Sequence, residues 1–262
     1  TAEAVLRRVN YHRAQSGVTP MVMNPSLVAA AHSHSIYMVS NSILAPYEKK
    51  ELEGFTGERC WDRAQHFGFL SGNVNEIIEG YRSTTVSELI DPYVAEPFSR
   101  ISLLHSGLDQ FGYGEALDPR GITYFTLDYG SLFDNDTAAV IYPGENQTDI
   151  PLSYSSGMLP VYNPFPTAVY PIGYVVTLIV PRNNTNIQIL SYYLRPFRGE
   201  DLDVWVLRPS ENRSYPNLFA MASKNPLLPN TEYEAYIKAL INLEPFELTW
   251  RFNTRSEEIT ST

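Results

Sequence analysis

The chain has 262 residues, enough for two ordinary domains or one large one. Its 44% hydrophobic and 18% charged content fits a packed soluble protein and argues against disorder. A net charge of −10 with scattered basic residues sets nucleic acid aside as a partner, because phosphate binding needs a concentrated positive surface.

In chain order, Glu3 to Gln15 carries Val5, Leu6 and Val9 at helical spacing. Asn24-Pro25 is an N-cap followed by a first-turn proline, and the run after it sets Leu27, Ala30, Ala31, His34 and Met38 on one helix face. Thr85-Val86-Ser87-Glu88 is a capping box that opens a further helix. Pro92 and Pro97 interrupt that region and predict a kink or two short helices. QFGYGEAL and ITYFTLDYG, joined by Asp118-Pro119-Arg120-Gly121, predict a β-hairpin. Beyond it the chemistry changes. All five histidines and the single cysteine precede residue 110, while 13 of the 19 prolines lie from Pro143 onward, which puts a junction near 134–142. The second half reads as all-β. Tyr174 to Val180 is a β-branched run, and two series alternate: Tyr233, Ala235, Ile237, Ala239 and Phe246, Leu248, Trp250, Phe252. Leu202, Val204 and Val206 also alternate, with Trp205 facing the other way. Short strands with proline- and asparagine-rich turns predict an antiparallel sandwich.

One cysteine, Cys60, cannot form an internal disulfide, and a Cys-Xaa-Xaa-Cys zinc or redox site is excluded. No apolar run reaches the roughly 18–20 residues that span a bilayer, so no transmembrane segment is expected. The start of the chain shows no basic, then apolar, then small-residue signal pattern, which leaves either a cytosolic chain or one whose leader has been removed before Thr1.

The order of motifs in residues 1–135 resembles the CAP superfamily, the SCP-like group of cysteine-rich secretory, antigen 5 and pathogenesis-related proteins, in its bacterial form. The resemblance rests on VNYHRAQSGVTPMVMNPSLVAAAHSHSIYM, GFTGERCWDRAQHFGF, NVNEIIEG, PFSRISLLHSGLDQFGYG and YFTLDYG. It implies an α-β-α sandwich. Residues 138–255, with YPIGYVVTLIV, LLPNTEYEAYI and FELTWRFNT, are similar to bacterial Ig-like domains. The expected architecture is a CAP domain at 1–136 followed by an all-β Ig-like sandwich at 137–262. The resemblance further implies a secreted or cell-surface location, with the signal peptide removed, and a lipid, glycan or protein ligand.

CAP domains carry two histidines and two glutamates in a central cleft, and such histidines can hold a divalent metal. Here Ala45, Pro46 or Tyr47 stands where the first histidine is expected, and Ser99 stands at the second. Glu76 and Glu96 fall at or near the glutamate positions. Two carboxylates without histidines make a poor zinc site and at best a loose calcium or magnesium site, so neither a metal ligand nor any other cofactor is assigned. The expected binding cleft comprises His34, Tyr47, Glu48, Glu76, Ser99 and Arg100. The alternative is a hydrolase with Ser99 as nucleophile, a histidine base, and Glu76 or Glu96 as the orienting group. Against it, His105 lies six residues on, about 240° around a helix, and no Gly-Xaa-Ser-Xaa-Gly elbow is present. His34 reads as a hydrogen-bonded core histidine, His12 and His66 as surface residues, Cys60 as an inert thiol, and Arg100 and Asp62-Arg63 as makers of structural salt bridges. His32 points away from His34, so the two cannot chelate one ion. Sequons stand at Asn135, Asn146, Asn183 and Asn212.

Overall fold

A computed structural model describes residues 2–133, 138–155, 163–181, 186–211 and 214–257. The sequons at Asn135, Asn183 and Asn212 lie outside the described residues. The chain divides into two compact units. Thr1–Ala14, Thr19–Pro92 and Ser106–Asp136 make the first; Gln15–Val18, Tyr93–His105 and Thr137–Thr262 make the second.

The first unit contains helices α1 (Ala2–Gln15), α2 (Pro25–Ser40), α3 (Cys60–His66) and most of α4 (Val86–Ala95). Its sheet has the order β1-β3-β4-β2, from β1 (Val22–Met23), β2 (Val74–Tyr81), β3 (Gln110–Leu117) and β4 (Thr123–Gly130). The hairpin β3–β4 closes where the Asp118 carboxylate accepts the backbone N–H groups of Arg120 and Ile122, both at 2.8 Å. Gly121 supplies the positive φ of 77° that this turn needs. Asn24 caps α2 by accepting from the N–H of Ser26 at 3.0 Å.

Helix α2 lies on the hairpin at unusually short range. A Cβ on Gly112 would sit 2.2 Å from the Leu27 carbonyl carbon, and one on Gly114 would sit 2.2 Å from the His32 nitrogen. Glycines at alternate positions of β3 therefore open a groove into which the helix backbone descends. Ser35 Oγ then lies 3.0 Å from both the Gly114 carbonyl and Thr126 Oγ1, tying α2 to two strands.

Two helices replace the interrupted helical stretch. Pro92 stands inside α4, and α5 (Pro97–Leu104) starts afresh after Glu96. The Thr85 hydroxyl and Glu88 carboxylate satisfy each other's backbone N–H groups at the start of α4.

Helix α5 clusters with the second unit, so that unit is not all-β. Its strands are β5 (Val140–Tyr142), β6 (Gln147–Ile150), β7 (Ser153–Tyr154), β8 (Ile172–Gly173), β9 (Val176–Ile179), β10 (Ile187–Pro196), β11 (Val204–Leu207), β12 (Leu218–Ser223), β13 (Glu232–Ile241) and β14 (Glu244–Thr254). They form two four-stranded sheets, β10-β13-β14-β6 and β11-β12-β9-β5, and a β7-β8 pair. Tyr233, Ala235, Ile237 and Ala239 are buried, as are Trp250 and Phe252. Tyr192 of one sheet meets Phe219 of the other at 5.5 Å between ring centres. Trp205 and Leu207 pack on a cluster of Tyr154, Phe165, Ile172, Val175, Ala220 and Ala222, so the inward face of β11 is the one that carries the tryptophan.

Candidate functional site

Five side chains from five segments of the first unit converge beside the sheet: His34 from α2, Glu48 from the loop after it, Arg63 from α3, Glu76 from β2 and Asp128 from β4. His34 is fully buried, with Nδ1 2.9 Å from Glu48 Oε1 and Nε2 3.0 Å from the Ala45 carbonyl. A carbonyl and an ionised carboxylate only accept, so His34 donates from both ring nitrogens. The other Glu48 oxygen accepts the N–H of Thr56 at 2.7 Å and that of Gly57 at 3.2 Å. Burial pushes the Glu48 carboxyl up. Hydrogen bonds from His34 and Thr56, with the charges of Arg63 and His34, outweigh that and hold it below the usual glutamate range.

Arg63 is the hub. Its guanidinium, fully buried, donates to the carbonyls of Pro46, Gly57 and Glu58 at 3.2–3.4 Å and to Glu76 Oε2 at 2.5 Å. Loop and helix can approach this closely because residue 57 is glycine: a Cβ there would stand 2.6 Å from the Arg63 backbone nitrogen. Asp62, expected to form a salt bridge, instead accepts the N–H of Arg59 at 3.0 Å and caps α3. Cys60, half-buried next to this cluster, has its thiol pushed up to about 12 by burial first and then by the charge of Glu76. A thiol held protonated is inert as a nucleophile.

Above the buried cluster lies an exposed aromatic rim. Tyr47 is 52% exposed and Trp61 37%. The Arg59 guanidinium stands between them, 5.3 Å from the Tyr47 ring centre and 5.1 Å from that of Trp61. The loop beside it borders a cavity of about 460 Å³ lined by Tyr47, Lys49, Lys50, Phe55 and Glu58 among others.

Of the six expected cleft residues, His34, Glu48 and Glu76 come together, and Tyr47 stands on the rim beside Glu48. Ser99 and Arg100, with Glu96, belong to the second unit. There Glu96 caps α5, its Oε2 accepting the Ser99 backbone N–H at 2.6 Å. Among the described residues, Arg100 makes no salt bridge of the expected kind. It donates to the carbonyls of Val94 at 2.6 Å, Ala95 at 3.1 Å and Val175 at 2.8 Å and to Thr177 Oγ1 at 3.0 Å, and it lies over the rings of Tyr142 and Tyr174. His12, expected at the surface, is buried at 6% exposure, with Nε2 2.9 Å from Asp91 Oδ1. The amphipathic face of α1 turns this histidine toward α4, where Arg8 also forks onto Asp91. His66 is exposed, as expected.

Asp128 was invisible to motif reasoning. The alternation of YFTLDYG sets it on the same strand face as Thr126, and only the β2–β4 register shows that it opposes Glu76. The converged residues do not suit a metal ion. Both nitrogens of His34 are committed to acceptors, and Glu48 and Glu76 are spent on His34, Arg63 and loop amides. Among the described residues, no group of three or more histidine, cysteine, aspartate or glutamate side chains is placed to hold one.

No helix among the described residues is long and apolar enough to cross a membrane. A search of curated proteins found no match. Among solved structures, an outer surface protein from Borrelia burgdorferi is similar at 12% identity and a TM-score of 0.42, over 49% of this chain and 90% of that one. An extracellular protein containing a SCP domain from Bacillus anthracis is similar at 17% identity and a TM-score of 0.42, over 50% of this chain and 40% of that one, less than half its length. Residues 6–129, which contain every member of the buried cluster, match the model of the CAP, or cysteine-rich secretory protein, family.

Proposed function

We propose that the chain is a secreted or cell-surface binding protein, whose CAP-type region at 1–136 takes a lipid, glycan or protein ligand at the rim of Tyr47, Arg59 and Trp61 without chemical turnover. One observation carries this reading: the buried side chains of His34, Glu48, Arg63 and Glu76 are engaged with one another, while the aromatic rings of Tyr47 and Trp61 face solvent. Exposed tyrosine and tryptophan rings supply large contact area at low entropic cost, which suits stacking on a sugar face or an apolar side chain. Residues 137–262 form an Ig-like sandwich in the same reading, supported by the two four-stranded sheets with alternating inward residues.

Arrays of glycans and lipids, with pull-down from cell-surface extracts, test the proposal on the purified chain and on Tyr47→Ala. Retention that falls about tenfold in Tyr47→Ala, with an unchanged melting temperature, supports it. Turnover of a peptide, ester or glycan substrate that disappears in Ser99→Ala or Glu76→Gln replaces it with the hydrolase alternative.

A further inference from the structure

Glu76 and Asp128 oppose each other directly in the β2–β4 register, so both side chains leave the sheet on one face. The groups that surround them can be named element by element. Helix α3 contributes Arg63 and Cys60, α2 contributes His34 with Nε2 4.0 Å from Glu76 Oε1, and the loop after α2 contributes Glu48. Strand β3 places Gly112 opposite Asp128 and adds no side chain. Arg63 and the doubly donating His34 bring two positive charges, and Glu48 and Glu76 bring two negative ones. An ionised Asp128 would be a third anion with no cation left for it. Asp128 is fully buried, and among the described residues no donor hydrogen-bonds either of its oxygens. The group within hydrogen-bond reach is the Glu76 carboxyl. Two ionised carboxylates only repel, whereas a carboxylic acid can donate to a carboxylate.

We propose that Asp128 is held as the neutral acid and donates its hydrogen to Glu76, and that this single proton keeps Arg63 committed to the loops carrying the Tyr47–Arg59 rim. With the proton in place, Glu76 bears one charge that Arg63 Nη2 meets, and the two Nη groups hold the carbonyls of Pro46, Gly57 and Glu58, while the buried Nε–H makes no hydrogen bond among the described residues. When the proton leaves, a second carboxylate competes for the same guanidinium, and the loop carbonyls lose their donors. Burial raises the Asp128 acid well above the usual aspartate range, the charge of Glu76 raises it further, and Arg63 works against both. The sign of the stability effect follows. Below the usual aspartate value of 3.8 both folded and unfolded chains are protonated and nothing is lost. As pH rises above it, the unfolded chain releases the proton while the folded chain retains it. Stability therefore falls with pH until the folded acid itself ionises.

The link to ligand binding rests on the proposed role of the rim; the protonation does not, and the experiment separates the two. Carbon-13 NMR of side-chain carboxyls, on the full chain labelled at aspartate, is followed from pH 5 to 9. One aspartate signal at the protonated position at pH 7, absent in Asp128→Asn, is the expected result. A spectrum in which every aspartate is ionised at pH 7 overturns the proposal. If Asp128→Asn does not fold, Glu76→Gln serves instead, because removing the neighbouring charge moves the same signal's titration to lower pH. Amide exchange of Thr56 and Gly57, corrected for its intrinsic pH dependence, is expected to accelerate at least tenfold across that titration. Protection that stays constant through it overturns the coupling to the loops, and ligand retention is not needed for either reading.

Discussion

Arg63 hydrogen-bonds three loop carbonyls and the Glu76 carboxylate, with Glu48 at 3.9 Å, and is fully buried. A buried ion pair adds little over a well-packed apolar pair, yet removing one partner leaves an uncompensated charge that costs about 3–5 kcal/mol. Arg63→Met is therefore expected to lower the unfolding free energy by about 3–5 kcal/mol, read from urea denaturation at neutral pH. A loss under 1 kcal/mol would mean that water enters and solvates Glu76. The identity of such residues was partly legible in the chain. His34 could be placed in the core from its position on the apolar face of α2. The roles of Arg63, Arg100 and Asp128 could not, because their partners come from segments far along the sequence: Arg100 reaches Val175 across 75 residues and Asp128 meets Glu76 through sheet register. Charged residues in a sequence invite pairing with opposite charges, and Arg100 shows that carbonyls and tyrosine rings serve equally well.

Local elements were the most legible part of the molecule, because caps and tight turns are decided within four residues. Asn24, the Thr85–Glu88 box and the Asp118–Gly121 turn all form the hydrogen bonds their residue types imply. Packing between elements was less so. The Gly-Xaa-Gly of β3 lies in a strand the sequence predicts, and its purpose emerges only when α2 is seated on it. Gly112→Ala is expected to destabilise the chain by at least 1–3 kcal/mol, since a methyl group 2.2 Å from the Leu27 backbone forces the helix off the sheet. Chemical denaturation measures this, and a variant of unchanged stability would show that α2 moves freely on the hairpin. Strand β11 makes a related point. Alternation alone could not say which of its two faces turns inward, and the bulk of Trp205 decided the matter.

At the scale of the whole chain, the two compact units interleave along the sequence, Gln15–Val18, Tyr93–His105 and Thr137–Thr262 clustering together. Residues 93–105 lie within the CAP match and yet cluster with residues 137–262. Composition marks where a chain changes character and is blind to which segments a later portion gathers in. A piece ending at residue 136 would leave the buried Arg100 without Val175, Thr177, Tyr142 and Tyr174. Such a piece is expected to lack the cooperative melting transition of the full chain when followed by circular dichroism. A sharp transition at the full-length temperature would show that α5 holds without those partners. Cys60 offers a way to watch such events. With its thiol at about 12, roughly one molecule in ten thousand carries the reactive anion at pH 8 while α3 is seated, against a substantial fraction once the sulfur meets bulk solvent. The chain thus contains a stopwatch of its own: as its sole cysteine, this sulfur turns alkylation by iodoacetamide into a clock for how often α3 parts from β2, with no dye or engineered label required.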